Sequence, residues 1–143
     1  MSLEDLEQVV AIDQASFNLP WPARAFRYEV ADNPAARCWV MAAGDQVVGM
    51  LILWLILDEA HIATLATHLD FRRRGIAEEL LRHALRAAAA EGARSSFLEV
   101  RAGNLAAQAM YDKFGYVQDG RRPHYYKDNG EDAILMSLAQ LNV

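Results

Sequence analysis

Helical signals come first along the chain, in two segments separated by prolines. We expect a helix over 3–17, because apolar residues recur there at loose helical spacing, at Leu6, Val9, Val10 and Ile12. The segment Asn18-Leu-Pro-Trp-Pro22 ends this helix, and Pro22 suits the start of a second helix over 23–30. Asn33-Pro34 then predicts the end of the second helix, because the residue before a proline is disfavoured in the α region.

Three apolar runs follow, and each predicts a strand: 38–43, 46–57 and 60–67. Gly44-Asp45 lies between the first two runs and is a hairpin signal. The second run is rich in β-branched and aromatic residues, so we expect a strand that is buried on both faces or nearly so. The third run alternates only weakly between apolar and polar positions.

The second half of the chain returns to helical spacing. From Gly75 to Gly92 one helical face is apolar, at Ile76, Leu80, Leu81, Ala84, Leu85 and Ala88. A further helix over 105–114 has Asn104 as a good N-cap and Gly115 as a good residue to end it. Strands are predicted over 96–100, 116–119 and 133–138. The order ααβββαβαββ predicts a mixed α/β fold, with a central β-sheet flanked by helices.

Length and composition fit one ordinary globular domain over residues 1–143. The chain has 53% hydrophobic and 23% charged residues, which excludes disorder along its whole length. Its most apolar run, 47–57, is well short of the roughly 20 residues that a membrane-spanning helix needs. The first ten residues carry acidic side chains where a signal peptide would be basic. We therefore expect a cytoplasmic protein with no membrane partner.

Charge and cysteine content narrow the possible partners. The net charge of −5 argues against a nucleic-acid-binding protein, which would carry a basic surplus. The single cysteine, Cys38, excludes an internal disulfide and any site with several cysteine ligands. The four histidines lack metal-ligand spacing, and the acidic group Asp128, Glu131 and Asp132 is more typical of a solvated turn than of a metal site. No metal is expected.

The strongest chemical signal is the run Arg72-Arg-Arg-Gly-Ile-Ala77, which follows a predicted strand and opens the long helix. Backbone N–H groups at a helix N-terminus form an anion site, and Gly75 has no Cβ to keep a phosphate away. A basic loop with a glycine turn is an equally good interpretation of these six residues alone. The run is neither a Walker loop nor a Gly-x-Gly-x-x-Gly dinucleotide loop.

Arg72-x-x-Gly75-x-Ala77 is similar to the signature of the GCN5-related N-acetyltransferases, the GNAT superfamily. Further segments, in family order over most of the chain, resemble its RimI branch: Phe17-Asn-Leu-Pro-Trp21, Leu98-Glu-Val-Arg-Ala-Gly-Asn104, Ala109-Met-Tyr111-Asp-Lys-Phe-Gly-Tyr116, Arg122-Pro-His-Tyr-Tyr126 and Gly130-Glu-Asp-Ala-Ile134. This resemblance implies the GNAT fold, which has the predicted element order. It also implies an acetyl-CoA-dependent enzyme that acetylates the N-terminal alanine of a small-subunit ribosomal protein.

The resemblance assigns cofactor contacts to three places. It implies that the CoA pyrophosphate lies on backbone amides at the start of the long helix, among Arg72, Arg73, Arg74, Gly75, Ile76, Ala77 and Glu78. It implies that the strand residues Leu65, Ala66 and Thr67 pair with the pantetheine arm and present N–H groups to the oxyanion. Asn104 would hydrogen-bond the cofactor, although it could equally be a plain helix cap or do both.

Glu99 is a carboxylate in an otherwise apolar strand, between Leu98 and Val100. A carboxylate in a buried strand is costly without a partner or a function. A pair with Arg101, on the same strand face, would supply the partner. The resemblance instead implies that Glu99 is the general base and acts through water.

A free-energy argument favours an α-amine as the acceptor. An α-amino group has a pKa of about 7.7–8.0 and lysine one of about 10.4, so neutralising them at pH 7 costs about 1.4 and about 4.6 kcal/mol. A weakly basic carboxylate with a water relay suits the first task better than the second. Lysine stays open, because a site can lower its pKa.

Aromatic residues complete the expected site. Tyr111 lies two helical turns after Asn104 and therefore on nearly the same face; it is either a core aromatic or, as the resemblance implies, the proton donor to the departing CoA thiolate. The resemblance implies that Trp21, Tyr125 and Tyr126 wall the peptide groove. Two adjacent tyrosines on a strand would point to opposite faces, so only one of them would face the groove.

Other functions and the oligomeric state stay open. An enzyme of the same fold could acetylate a small amine or a lysine side chain. A non-catalytic acetyl-CoA sensor would bind the cofactor without turnover, although the presence of both Glu99 and Tyr111 weighs against it. We expect a monomer or a weak dimer.

Overall fold

The computed structural model describes residues 1–141. The helices are α1 (Leu6–Ser16), α2 (Ala23–Ala31), α3 (Ile76–Ala90) and α4 (Leu105–Lys113). The strands are β1 (Ala36–Ala43), β2 (Gln46–Ile56), β3 (Glu59–Thr67), β4 (Ser95–Arg101), β5 (Val117–Arg122) and β6 (Ala133–Leu138). Short 3₁₀ turns precede α1 and follow β3, at Leu3–Asp5 and Leu69–Phe71. The order confirms the predicted ααβββαβαββ pattern.

The six strands form one mixed sheet in the order β1-β2-β3-β4-β6-β5. β3 and β4 run parallel, and the other neighbouring pairs are antiparallel. Parallel neighbours need a crossover connection, and α3 supplies it between β3 and β4. Every helix within residues 1–141 is too short or too polar to cross a bilayer.

Apolar layers cover both faces of the sheet, and β2 contributes to both of them. Val48, Leu51 and Leu53 pack in the cluster that contains α3, whereas Val47, Met50 and Ile52 pack in the cluster that contains α1 and α2. Successive strand residues point to opposite faces, so a strand covered on both sides must be apolar throughout. The expectation of a strand buried on both faces is confirmed.

Gly49 of β2 lies against side chains from the first turns of α3. A Cβ atom at this position would stand 2.7 Å from Ile76 Cγ2 and 2.9 Å from Leu80 Cδ1. These distances are shorter than normal van der Waals contact, so a side chain here would force the Ile76 and Leu80 side chains of α3 to shift. The glycine therefore helps to set the position of the α3 N-terminus relative to the sheet.

A closing motif at the end of α4 changes the predicted start of β5. Gly115 has φ 99°, and its N–H donates to Asp112 O while the N–H of Tyr116 donates to Tyr111 O. This is the Schellman arrangement of a helix end. Tyr116 is thereby turned into the core, where its hydroxyl donates to Ser96 Oγ at 2.7 Å. The strand consequently begins at Val117, one residue later than predicted.

β3 and β4 separate soon after they meet. Their parallel pairing joins only Glu59–His61 to Ser95–Phe97. The register of β3 against β2 shifts between Ile62 and Thr64, which leaves Ala63 as a bulge. A bulge bends its strand and increases the local twist. The remainder of β3 therefore turns away from β4, and a gap opens in the middle of the sheet.

Candidate active site

A cavity of about 340 Å³ fills the gap between the two diverging strands. Its side walls are 62–65 of β3 and 98–101 of β4. The end of α1 and the segment after it close one side, and α4 closes another. Six of the predicted site residues line it: Trp21, Leu65, Glu99, Asn104, Tyr111 and Tyr126. The other predicted residues lie outside its lining: Ala66, Thr67, Arg72, Arg73, Arg74, Gly75, Ile76, Ala77, Glu78 and Tyr125.

Glu99 is exposed at the cavity rather than buried in the sheet. The expectation of a carboxylate in a buried strand was therefore wrong for its side chain, although Leu98 and Val100 on the opposite face are buried. The reason is the separation of β3 from β4, which leaves the cavity face of β4 without a neighbouring strand. Glu99 forms no ion pair within residues 1–141, and Arg101 pairs with other carboxylates.

Tyr111 belongs both to the core and to the cavity. Its side chain is 7% exposed, and its ring meets that of Tyr116 edge-on at 5.5 Å. Burial raises its pKa above the ordinary tyrosine value, and the neighbouring Tyr116 and Tyr126 add to the shift. No hydrogen bond joins its hydroxyl to residues 1–141, where no completely buried side-chain oxygen lacks a partner. The hydroxyl therefore has access to the cavity, in its protonated form.

Asn104 caps α4 from the edge of the same cavity. Its Oδ1 accepts the N–H of Ala107 at 3.1 Å, which is the helix-cap geometry that the sequence predicts. The cap uses only the side-chain oxygen, so the amide NH₂ stays available to the cavity. Asn104 is therefore a helix cap, and its free NH₂ group could in addition hydrogen-bond a ligand in the cavity.

The first turn of α3 presents backbone donors. Gly75 has φ 78° and Arg73 has φ 66°, so two left-handed residues turn the chain into the helix. A Cβ on Gly75 would meet nothing within 4 Å, so the need for glycine comes from backbone conformation alone. The N–H groups of 76–78 have no recorded acceptor within residues 1–141, as expected for a helix start. Such a donor set suits a phosphate-bearing ligand.

The consecutive arginines before this turn have different surroundings. Arg72 donates to Ser16 Oγ at 3.2 Å and to Thr67 O at 3.4 Å. Arg74 lies over the ring of Phe71, with 5.0 Å between the guanidinium carbon and the ring centroid. Arg72 therefore fastens the loop to α1 and β3, so its direct role at the helix start is reduced.

The segment after α1 forms one wall of the cavity. The Trp21 ring stacks on Trp54 at 6.4 Å and packs against Phe26 at 5.1 Å. The backbone N–H of Trp21 donates to Asp13 Oδ2 at 2.8 Å. Asp13, which sequence reasoning missed, thus anchors the loop. Its only sequence signal is a polar residue next to Ile12 on the apolar stripe of α1.

Tyr125 and Tyr126 lie in a loop between β5 and β6, not on a strand, so the expected alternation does not apply. Their rings meet edge-to-face at 5.1 Å. Tyr126 lines the cavity, whereas Tyr125 is 43% exposed beside Arg122. Burial raises the pKa of Tyr126. The strand ends at Arg122, and the loop that follows, in which His124 has φ 54°, brings only Tyr126 to the cavity lining.

An ion-pair network holds this loop to the end of β4. Arg101 donates to Asp128 at 3.1 Å and to Glu131 at 3.3 Å, and its guanidinium lies 4.0 Å above the Tyr126 ring. Glu131 also accepts the N–H of Gly103 at 2.6 Å. The Gly103 N–H and then Arg101 lower the pKa of Glu131, and Arg101 lowers that of Asp128. The predicted turn is present at 127–129, and Asp128 is an exposed residue. The ion pairs with Arg101 were not predicted, because Arg101 comes from a strand distant in sequence.

The sequence and the fold are similar to those of known proteins. A family model described as the acetyltransferase (GNAT) family matches residues 6–116. The chain belongs to the GNAT family of acetyltransferases. It is accordingly an N-acetyltransferase, and acetyl-CoA is its acetyl donor. The sheet that opens between β3 and β4 is the GNAT fold that the sequence predicts.

Relatives of this GNAT enzyme cover nearly its whole length. A Bacillus subtilis protein, named provisionally as a ribosomal protein bS18-alanine N-acetyltransferase, is 38% identical over 136 residues, covering 95% of this chain and 90% of its own. The Salmonella typhimurium enzyme of that name is 33% identical over 142 residues, which cover 96% of this chain and 93% of the Salmonella enzyme. The crystal structure of the Escherichia coli ribosomal-protein-S18-alanine N-acetyltransferase superposes with a TM-score of 0.88 at 29% identity. The superposition covers 96% of this chain and 89% of the Escherichia coli chain.

Proposed function

We propose that this enzyme acetylates the N-terminal amine of a ribosomal protein whose first residue is alanine. The names of the relatives from Bacillus, Salmonella and Escherichia coli support this acceptor. We further propose that residues 1–143 act as one catalytic domain in the cytoplasm, as a monomer or weak dimer. The observation that carries the proposal is that one cavity is lined both by Glu99, a carboxylate without an ion pair within residues 1–141, and by Tyr111, a buried phenol.

Glu99 is proposed as the general base. Its carboxylate faces the cavity, carries no ion pair within residues 1–141, and is accessible to water. These features suit a base that takes a proton from the attacking amine through one water molecule. An α-amine needs only about 1.4 kcal/mol to lose its proton at pH 7, whereas lysine needs about 4.6 kcal/mol. An ordinary carboxylate therefore serves an α-amine acceptor well.

Tyr111 is proposed as the hydrogen-bond donor to the leaving sulfur. A thiol has a pKa of about 8.5, well below that of tyrosine at about 10, so complete transfer of the phenolic proton to a thiolate is unfavourable. The raised pKa of buried Tyr111 increases this difference. We expect the hydroxyl to stabilise the developing negative charge by hydrogen bonding, with a rate contribution of about 10² rather than 10⁴.

The proposed donor contacts lie along β3 and at the start of α3. Acetyl-CoA supplies the acetyl group as a thioester. The β3 residues Leu65, Ala66 and Thr67 lie beyond the last β3–β4 pair, so their backbone has no strand neighbour on that side. Oriented N–H groups there would hold the arm of the cofactor and stabilise negative charge on the carbonyl oxygen. The pyrophosphate would lie on the segment 72–78, and Asn104 would contribute its free amide NH₂.

The proposed acceptor contacts come from two loops. Trp21 lies in the segment after α1, and Tyr125 and Tyr126 lie between β5 and β6. Tyr126 lines the cavity together with Trp21, which supports a direct contact of both rings with the peptide. Tyr125 would act at the outer rim, where it is exposed.

A matched peptide pair tests the proposed function. One peptide begins with alanine and has a free amine; the other has the same amine acetylated and carries an internal lysine. Release of free CoA with the first peptide alone, lost in Glu99→Gln, would establish α-amine specificity. Turnover of the second peptide would instead indicate a lysine acetyltransferase. Binding of acetyl-CoA without turnover of either peptide would contradict the proposal and favour a small-amine enzyme or a sensor.

A further inference from the structure

Asp13 is a charged residue on the buried face of α1. Its side chain is 1% exposed and lies beside the apolar residues Val9 and Ile12 of the same helix. It nevertheless lines the cavity, on the wall formed by the segment after α1. None of the catalytic roles proposed above uses this carboxylate.

The two oxygens of Asp13 have different surroundings. Oδ2 accepts the backbone N–H of Trp21 at 2.8 Å. For Oδ1 no hydrogen bond to residues 1–141 is recorded, and no completely buried side-chain oxygen in that part of the chain lacks a partner. Oδ1 is therefore not completely buried, and Asp13 belongs to the cavity lining. One oxygen holds the loop, and the other has no hydrogen-bond partner within residues 1–141 in a residue that lines the cavity.

The negative charge of Asp13 is not explained by the loop contact. A neutral side-chain oxygen could accept the Trp21 N–H without the cost of burying a charge. Burial raises the pKa of Asp13, which reflects that cost, and the Trp21 N–H offsets it only in part. Asp13 has no cationic partner among residues 1–141, since no ion pair there includes it. A charged group with these features suits a cationic ligand.

We propose that Asp13 binds the N-terminal ammonium group of the acceptor peptide through Oδ1. The proposal rests on the proposed α-amine acetyltransferase function. It divides the work between two carboxylates that line one cavity. Buried Asp13 binds and orients the incoming ammonium group, and exposed Glu99 accepts the proton when the amine becomes a nucleophile. Asp13 is thus a specificity residue that selects a free, charged amino terminus.

A pair of peptides isolates this contact. One peptide begins with alanine, and its partner carries a propanoyl group in place of that alanine, so it differs only by lacking the amine. Binding of both is measured by calorimetry with CoA present, so that no turnover occurs. We expect the wild-type enzyme to prefer the amine peptide by about 10- to 100-fold, the range of a hydrogen bond between charged groups.

Asp13→Asn is the decisive variant, because its amide oxygen can still accept the Trp21 N–H. We expect the preference for the amine peptide to fall to about threefold or less, and the KM for the peptide to rise while the KM for acetyl-CoA stays unchanged. The melting temperature should equal or exceed that of the wild type, since a buried charge is removed. Glu7→Gln is the matched control: it removes one negative charge from an exposed position of the same helix, and it should leave the preference unchanged.

Two results would overturn the proposal. The first is a wild-type enzyme that binds both peptides equally, a measurement that needs no variant to fold. The second is an Asp13→Asn enzyme that keeps the wild-type preference, which would restrict Asp13 to supporting the Trp21 loop. A failure of the proposed function would be distinguishable from a failure of the Asp13 proposal, because the wild-type enzyme would then release no CoA with the alanine peptide.

Discussion

The proposed acetyl-CoA side and the proposed peptide side of the enzyme present different kinds of groups. The donor wall comprises the cavity-lining residues 62–65 and the proposed cofactor-binding residues 66–67 and 72–78, which lie outside the cavity lining. It relies on backbone groups: an open strand edge and the first turn of α3. The acceptor wall, which consists of the loops 17–22 and 123–132, relies on side chains, and each loop is held by a side chain from another element. The Arg101 pairs span 27 and 30 residues, and the Asp13 bond spans 8.

This difference predicts how each wall responds to mutation. A backbone site tolerates many side-chain changes but depends on backbone conformation, because every residue has an N–H group except proline. A side-chain site depends on the identity and charge of particular residues. We therefore expect conformational mutations to affect acetyl-CoA binding and charge mutations to affect peptide binding.

The largest expected effect comes from Glu99, which lies between the walls. Glu99→Gln should lower kcat about 10²- to 10⁴-fold, the usual contribution of a general base. Stability should be nearly unchanged, because Glu99 is exposed and has no ion pair within residues 1–141. The checks are CoA release and the melting temperature. A retained kcat would remove Glu99 from the catalytic machinery and place the proton acceptor elsewhere in the cavity.

A substitution at Gly75 tests the donor wall, because it changes the backbone conformation at the start of α3 without adding a steric contact. Gly75→Ala should destabilise the enzyme by about 1–2 kcal/mol, because φ is 78° there, and should raise the KM for acetyl-CoA about fivefold. Gly44→Ala is a matched control, since Gly44 has φ 61° and equally open space in the β1–β2 hairpin. Both variants should lose stability in urea unfolding, and only the first should change the KM. An equal KM in both would argue against a backbone phosphate site.

Tyr111 lines the cavity from α4 and should make the stability of the enzyme sensitive to high pH. Its pKa is raised in the folded state, so the unfolded chain loses the phenolic proton first as pH passes about 10. The stabilising contribution is complete below pH 10 and is lost above it, by about 1.4 kcal/mol at pH 11. Tyr116, with its pKa raised to about 12, behaves in the same way between pH 10 and 12.

Unfolding at pH 8 and pH 11 separates these two contributions. Between pH 8 and pH 11 the free energy of unfolding should fall by about 1.4 kcal/mol less in Tyr111→Phe than in the wild type, because the phenylalanine cannot ionise in the unfolded state. An identical pH dependence in variant and wild type would mean that the Tyr111 hydroxyl is not desolvated in the folded enzyme.

Arg101 tests the acceptor wall, with the smallest expected effect. Arg101→Gln removes both ion pairs to the loop 123–132, so the KM for the peptide should rise about threefold, the modest value of partly exposed pairs. The KM for acetyl-CoA should not change. Arg37→Gln is the control, because it breaks the bidentate Arg37–Glu91 pair at the β1–α3 contact. A change in the acetyl-CoA KM instead would show that the two walls are coupled.

Local signals predicted the elements of the fold well. Helix α3 begins one residue after Gly75, and β6 has the predicted limits, because periodicity, caps and glycine turns act within a few residues. The Asn104 cap was predicted for the same reason. The exposure of Glu99 was not predicted, since it depends on where β3 and β4 part, which the sequence of β4 alone does not encode.

The sequence by itself determined the order of the elements and the family resemblance, and it made Glu99 and Tyr111 the candidates for the catalytic roles. These features are carried by short motifs whose meaning depends on residue type and spacing. Only the tertiary structure decided which of the two tyrosines lines the cavity, that Arg101 pairs with the loop 123–132 rather than with Glu99, and that Asp13 belongs to the cavity lining. Each of these depends on contacts across the gap in the sheet, where segments distant in sequence meet at distances that no local pattern records.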